Sequence, residues 1–508
     1  MLPRVRFILT AILLLAGTAR AQETLDLTIL HYNDFHAQNT PTMLTVTGDD
    51  GERMRVPAGG AAVFKAMIDR QRAAAPHTLL LHAGDDFQGT PISSITKGRS
   101  QFELLELIQP DAFALGNHEF DYGTDNLRAL LPMVSFPVIS ANLWDKSIGA
   151  PFVPRYRVLR RGGYAIAVIG LAPPDLETLT LRENVRDLDV LDPVATVRHT
   201  MSELERNFAI RFFVVLSHMG FDHDSLLAEA VDGIDVIIGG HSHSMLRVPK
   251  RVNGAVIAQA GSKGRWLGRL ALRVDTEEGT VLRAHGELLP ALVDGVTPDP
   301  VVAAKVAEQE AVVDSGFGEV IGELARDWER SSRGESNVGS WMTDVMRDFA
   351  KADIAFQNSG GIRKDLPAGP ITLRDIWEIA PFGNEFVTFE VRGDQLRGML
   401  RHQAEVTGEF CQVSGLRYSW DYGAPEGERL KARVGGEEID PGKTYTIVTN
   451  NYVAGHLHDV FGLPEADVEV QFVYPAHVDR DVFIDYVRRQ QRIDSRVEGR
   501  ITLIGERP

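Results

Sequence analysis

The feature that most restricts how this chain can fold is a set of five short apolar runs, each of which ends in side chains able to ligate metal. Residues 27–30 lead into His31-Tyr32-Asn33-Asp34-Phe35-His36, and residues 79–81 into His82-Ala83-Gly84-Asp85. Residues 112–115 are followed by Gly116-Asn117-His118-Glu119-Phe120-Asp121, and 212–216 by Ser217-His218-Met219-Gly220. The fifth run, 236–238, meets Gly239-Gly240-His241-Ser242-His243. Open α/β sheets bind ligands just outside the carboxyl ends of their strands. A single His or Asp after a strand is ordinarily a turn former. Five in order describe one site at one edge of a layered sheet.

Between these runs lie helical stretches such as 61–75 and 225–231, the alternation of an α/β layered domain reaching to about Arg273. Pro298-Asp299-Pro300 then precedes an Ala- and Glu-rich stretch to Val313. Asp299 suits an N-cap, and Pro300 the first helical position, where a missing N–H costs nothing. The texture changes beyond it, with a helical stretch at 338–350 and strand-like pieces such as 445–449. The expected organisation is a leader over 1–21, a first domain over 22–300, a linker helix over 301–322 and a second domain over 323–508. A length of 508 residues accommodates that division.

Arg4 and Arg6, the apolar run 7–16 and Ala19-Arg20-Ala21 have the charged, apolar and small-residue order of a cleavable secretory signal. A run of ten residues is too short for a membrane span, which needs about 20. No Cys follows the site to carry a lipid, so the expectation is a periplasmic or secreted protein without a stable membrane anchor. Cys411 is the only cysteine, so no internal disulfide is available and it reads as a small buried side chain.

Lys and Arg number 53 against 70 Asp and Glu, a formal charge of -17. A general binder of nucleic-acid polymers carries the opposite sign. An anionic substrate therefore needs a locally positive site, made by metal ions or an arginine cluster. Asp34, His36, Asp85, Asn117, His218, His241 and His243 supply seven oxygen and nitrogen donors without a thiolate. Seven donors with one bridging carboxylate suit two divalent ions about 3.5–4 Å apart. Such donors fit Mn, Zn, Co, Fe or Mg, and a closed four-ligand structural zinc fits them poorly.

Asp34-x-His36, Gly84-Asp85, Gly116-Asn117-His118-Glu119, His218 and Gly240-His241-Ser242-His243 resemble the metallophosphoesterase signature. The longer strings LTILHYNDFHAQ, HAGDDFQG, ALGNHEFDYG and GGHSH resemble the secreted 5′-nucleotidase family, as do Asn358-Ser359-Gly360-Gly361-Ile362-Arg363 and Pro381-Phe382-Gly383-Asn384. The resemblance implies a four-layer αββα catalytic domain joined by a helix to a smaller α/β substrate-binding domain. It implies that Asp34, His36, Asp85 and His243 hold one ion. Asp85, Asn117, His218 and His241 hold the other, with His118 and Asp121 as a catalytic dyad. It further implies release of phosphate from nucleoside 5′-monophosphates through a metal-activated water. Rival readings are a UDP-sugar pyrophosphatase, a 2′,3′-cyclic-nucleotide phosphodiesterase with 3′-nucleotidase action, a sulfur-ester hydrolase of related fold, or a non-catalytic nucleotide- or metal-binding protein.

In the second domain the resemblance assigns Asn358, Arg363, Phe382 and Asn384 to the nucleoside part, with Arg330 or Arg333 as further contacts. Where the family has a GGDGF-like stretch, this chain has Ala454-Gly455-His456-Leu457-His458-Asp459-Val460-Phe461-Gly462. Phe461 is the expected second stacking wall; the alternative makes it core, with His456 or His458 lining the pocket. Without a carboxylate partner, His456-x-His458 is not expected to form a third metal site.

Overall fold

The computed structural model describes residues 23–47, 53–405, 408–464, 467–473 and 478–505. The segment read as an export signal, residues 1–21, lies outside them.

Two six-stranded sheets build the first domain. One runs Thr280–Pro290, Trp266–Asp275, Thr24–Tyr32, Thr78–His82, Ala112–Ala114, Val138–Ile139; its last four strands are parallel. The other runs Lys250–Val252, Ala255–Ala258, Val236–Ile238, Phe213–Ser217, Tyr164–Leu171, Tyr156–Arg161, with a parallel centre and antiparallel edges. Side chains alternate across each strand, so each sheet has two apolar faces to cover. Leu27, Ile29, Leu79 and Leu81 face Val214, Leu216, Val236 and Ile238 in a core between the sheets. Leu30, Tyr32 and Leu80 instead meet Phe64, Ile68 and Leu104 from helices on the outside. Phe213, Val215 and Ile237 do the same with Val197, Leu204 and Leu227 on the far side. Helix, sheet, sheet, helix is thus the order of layers.

The linker helix spans Pro300–Phe317, and the Asp299 carboxylate caps it by accepting from Val301 N at 3.0 Å and Val302 N at 2.8 Å. Its Val302 and Val306 pack into the outer core of the first sheet. Beyond it, a five-stranded sheet (Cys411–Ser414, Ile354–Asn358, Thr444–Asn450, Phe386–Arg392, Gln471–Phe472) has an apolar core on each face. Helix Asn337–Ala350 covers one face and Gly393–Glu405 the other. Cys411 is buried there without a partner. Among the described residues, no helix is long and apolar enough to cross a membrane.

Asp235, at the start of Val236–Ile238, accepts from Phe213 N at 2.9 Å, and burial pushes its carboxyl up to about 7. Its ordinary value is 3.8, so between these values the folded chain holds a proton that the unfolded chain releases. Stability from this group therefore falls as pH rises through that window. Asp235→Asn keeps an oxygen acceptor and removes the titration. We expect the urea midpoint of the variant to fall less than the wild type's as pH is raised from about 4 to about 7.

Candidate dimetal site

The parallel centres of both sheets end at the same edge, so the loops after five strands converge there. Asp34, His36, Asp85, His241 and His243 all have positive φ, between 51° and 71°. L-residues other than Gly rarely adopt that conformation, although Asp, Asn and His tolerate it best. Such strain persists where the surroundings over-determine it. Here it turns the side chains inward immediately after the strand. Gly84 has φ +90°, and a Cβ on it would lie 2.7 Å from His218 Nδ1. On Gly116 a Cβ would lie 2.1 Å from Asp85 Oδ1, so both loops need glycine for these close approaches.

Glu119 fastens the two loops together. Its carboxylate accepts from the N–H groups of Asp85 (3.0 Å), Asp86 (2.8 Å), Phe87 (3.3 Å) and Gly116 (2.7 Å). Burial and the charge on Asp85 push its pKa up to about 7, against the pull of these amides. Asn33 steadies Asp34: its Nδ2 donates to Asp34 Oδ2 at 2.5 Å and to Gly261 O at 2.6 Å. The sequence strings contained Glu119 and Asn33, but neither spacing nor residue type disclosed these partners.

The donors form two adjoining clusters, Asp34 with His36 and His243, and Asp85 with His218 and His241; Asp85 also lies with His36 and His118. His36 Nε2 stands 3.0 Å from His243 Nε2, while His36 Nδ1 faces Phe87 O at 3.3 Å. If Nδ1 donates to that carbonyl, the lone pair on Nε2 faces the second imidazole, an arrangement a shared cation resolves. His218 repeats the pattern, with Nδ1 2.5 Å from Ala83 O and a buried Nε2 that has no hydrogen-bond partner 3.1 Å from Asp85 Oδ2. Asn117 Oδ1 lies 3.1 Å from His241 Nδ1.

Protonation states fit a cation pair. Burial opposes charge on Asp34, yet His243 and His218 hold its carboxyl well below the carboxylate range. Burial and His243 keep His36 neutral, and burial with His218 lowers His241 to about 4. Against burial, Asp85 raises His218 to about 10, so that imidazole carries the positive charge that a divalent ion would supply. These seven residues fit two divalent cations by type, convergence and charge.

His118 Nδ1 is 2.9 Å from Asp121 Oδ2, and its backbone N–H donates to Asp85 Oδ1 at 2.9 Å. Burial disfavours the imidazolium, but Asp121 and Asp85 outweigh it and raise the His118 pKa. The His118 ring faces Phe382 with centroids 5.8 Å apart, and the Arg363 guanidinium stands 5.8 Å from the Phe382 centroid. Asn117, His118, Asp121, Asn358, Arg363, Phe382 and Asn384 all line one cavity of about 260 Å³ between the domains.

Two expectations for the second domain need correction. Phe461 is 1% exposed and packs on Phe356 with centroids 4.9 Å apart, because its short helix turns its apolar side into the core. Tyr452 lines the cavity instead, and its hydroxyl donates to Thr178 O across the domain boundary at 2.8 Å. Arg333 is exposed and outside the cavity lining. Arg330 is outside the lining too; it donates to Ile362 O at 3.1 Å and pairs with Asp365 at 3.2 Å, next to Arg363. His456 is buried behind Tyr452, with ring nitrogens 2.6 Å from Tyr452 O and 2.9 Å from Glu177 O, while His458 is exposed.

Residues 27–245 match the calcineurin-like phosphoesterase family, and residues 318–461 match the 5′-nucleotidase C-terminal domain. A 5′-nucleotidase from Diplobatis ommata is 31% identical over 532 residues, covering 94% of this chain and 90% of that protein. Endonuclease YhcR of Bacillus subtilis is 31% identical over 458 residues; the match covers 85% of this chain but only 37% of that longer protein. The structure of a 5′-nucleotidase precursor from Thermus thermophilus superposes with a TM-score of 0.85 at 32% identity, covering 95% of this chain and 100% of that one. Sheet edge, donor set and matched signature together define a metal-dependent phosphoester hydrolase of the calcineurin-like class. Within that class, the chain belongs to the 5′-nucleotidase family, whose catalytic domain works with two divalent metal ions.

Glu119→Gln replaces one acceptor oxygen with an amide NH2, which cannot accept from the loop N–H groups. We expect metal affinity to fall about 10–100-fold, as outer-shell losses commonly do, read by titration calorimetry of Mn²⁺ into metal-stripped protein.

Proposed function

We propose that this chain is an exported 5′-nucleotidase that releases phosphate from nucleoside 5′-monophosphates. The supporting observation is the shared cavity. An Asp/His cluster on the first domain opens beside Phe382, Tyr452, Asn358 and Arg363 of the second. A phosphate at the first and a base against the second would be the two ends of one nucleotide. Aromatic faces accept any base, which suits a nucleotidase more than a narrow reader. Residues 22–300 would form the catalytic domain, 301–322 the linker and 323–508 the substrate-binding domain, with residues 1–21 as the export signal.

Under this reading, Asp34, His36, Asp85 and His243 hold one divalent ion, and Asp85, Asn117, His218 and His241 the second. When bound, the ions supply Lewis acidity and a nucleophilic water at neutral pH. His118, oriented through Nδ1 by Asp121, presents Nε2–H where negative charge develops on the phosphoryl or leaving oxygen. Arg363, Arg330, Arg265 and Lys263 crowd together, and burial with this like charge lowers the Lys263 ammonium to about 7. A cationic cluster of that kind is relieved by an anionic ligand, within a chain of net charge -17.

Purified protein with Mn²⁺ is expected to release phosphate from AMP, and excess EDTA to abolish it. His118→Ala should lower kcat about 10²–10⁴-fold. Release from UDP-glucose or 2′,3′-cyclic AMP with none from AMP would transfer the reading to the rival substrates. Bound metal without any turnover would make the protein a binder.

A further inference from the structure

Gln88, three residues after Asp85 on the same loop, has no part in the chemistry above. Its side chain is buried, with 1% of the residue exposed, and both Nε2 and Oε1 lack a hydrogen-bond partner. Its backbone is held at φ 62° while its N–H donates to Ser93 Oγ at 3.1 Å. Gln88 is one of the residues that line the interdomain cavity, together with Asn117, His118, Asp121 and Tyr122. Buried polar atoms are nearly always paired, and each exception calls for a partner outside the protein's own atoms. A left-handed glutamine with an unpaired amide is doubly costly, and both costs occur where the reaction would take place.

Resting on the phosphohydrolase reading of this site, we propose that Gln88 Nε2–H is a hydrogen-bond donor to the phosphoryl group of the substrate. Its neighbours explain the choice of a neutral amide. Asp85 and Asp121 are acceptors only, and a further carboxylate would repel the phosphoryl oxygens. A lysine in its place would compete with the cations for the ligands. Phosphoryl oxygens accept and cannot donate, so Nε2 is the half of the amide that they satisfy. Oε1 then accepts from a water or substrate hydroxyl. Because the donor touches the phosphoryl group and not the nucleoside, its contribution is the same for every phosphate monoester.

The test uses Mn²⁺-loaded full-length protein, with Gln88→Met as the near-isosteric apolar variant and Gln88→Glu as the near-isosteric anionic one. Substrates are AMP and p-nitrophenyl phosphate, and orthovanadate serves as a phosphoryl mimic. We expect Gln88→Met to lower kcat/KM about 100-fold on both substrates, the usual effect of losing one donor at a developing oxyanion. Orthovanadate inhibition should weaken in parallel, with two ions per chain retained and an unchanged unfolding midpoint. Gln88→Glu should be weaker still on all three readouts. Retention of kcat/KM within twofold overturns the proposal. So does a loss confined to AMP, which would make Gln88 a reader of the nucleoside, or a loss that tracks departure of the metal. Should the wild type turn over p-nitrophenyl phosphate but not AMP, the nucleotidase reading fails while the Gln88 comparison still decides the donor.

Discussion

The Glu119 carboxylate is the interaction on which the site depends. Four backbone N–H groups from two separate loops converge on it, and one of them belongs to Asp85. A buried carboxylate is expensive unless its lone pairs are filled, and here they are filled by the amides that must be fixed. Gly116 and Gly84 allow the loops to approach until no Cβ would fit. Asp85 is thereby held in its left-handed conformation, with Oδ1 on the His118 N–H and Oδ2 3.1 Å from His218 Nε2.

From that anchor the rest follows by charge. Two carboxylates and four imidazoles gathered in a buried space repel or attract strongly at low dielectric. In the bare protein His218 carries a proton for Asp85 and Asp34, while His36 and His241 stay neutral. Divalent cations held by the same side chains would supply that neutralisation. The second domain brings Arg363 to the same cavity, with the like charge of Arg330 close behind it. An acidic chain thus concentrates positive potential at one point, where an anionic ester would enter.

Much of this was legible in the sequence because it is local. An apolar run followed by His, Asp or Asn states both the strand and what leaves its end, and the capped helix after Asp299 is written in three residues. Features set by distant contacts were not legible. Phe461 and Tyr452 are both aromatics near the same departure from the family pattern. Only the packing of Leu457–Phe461 against the core decides that Tyr452 faces the cavity. Arg330 and Arg333 differ by three positions, yet only Arg330 finds Asp365 and Ile362. Glu119 looked like part of a motif, and its four amides come from loops that sequence spacing does not bring together. Gln88 stood in a quoted string, but its burial without partners exists only in three dimensions.

On the proposed reading, Asp85 is the ligand that joins two cation sites into one. Metal content per chain, measured by mass spectrometry after equilibration with Mn²⁺, tests it directly in wild type, His243→Ala and Asp85→Asn. We expect two ions in the wild type and one in His243→Ala, which loses a ligand of one site only. Asp85→Asn should lose both at the same concentration. Two ions retained in Asp85→Asn, or one ion in the wild type, would contradict a shared bridge.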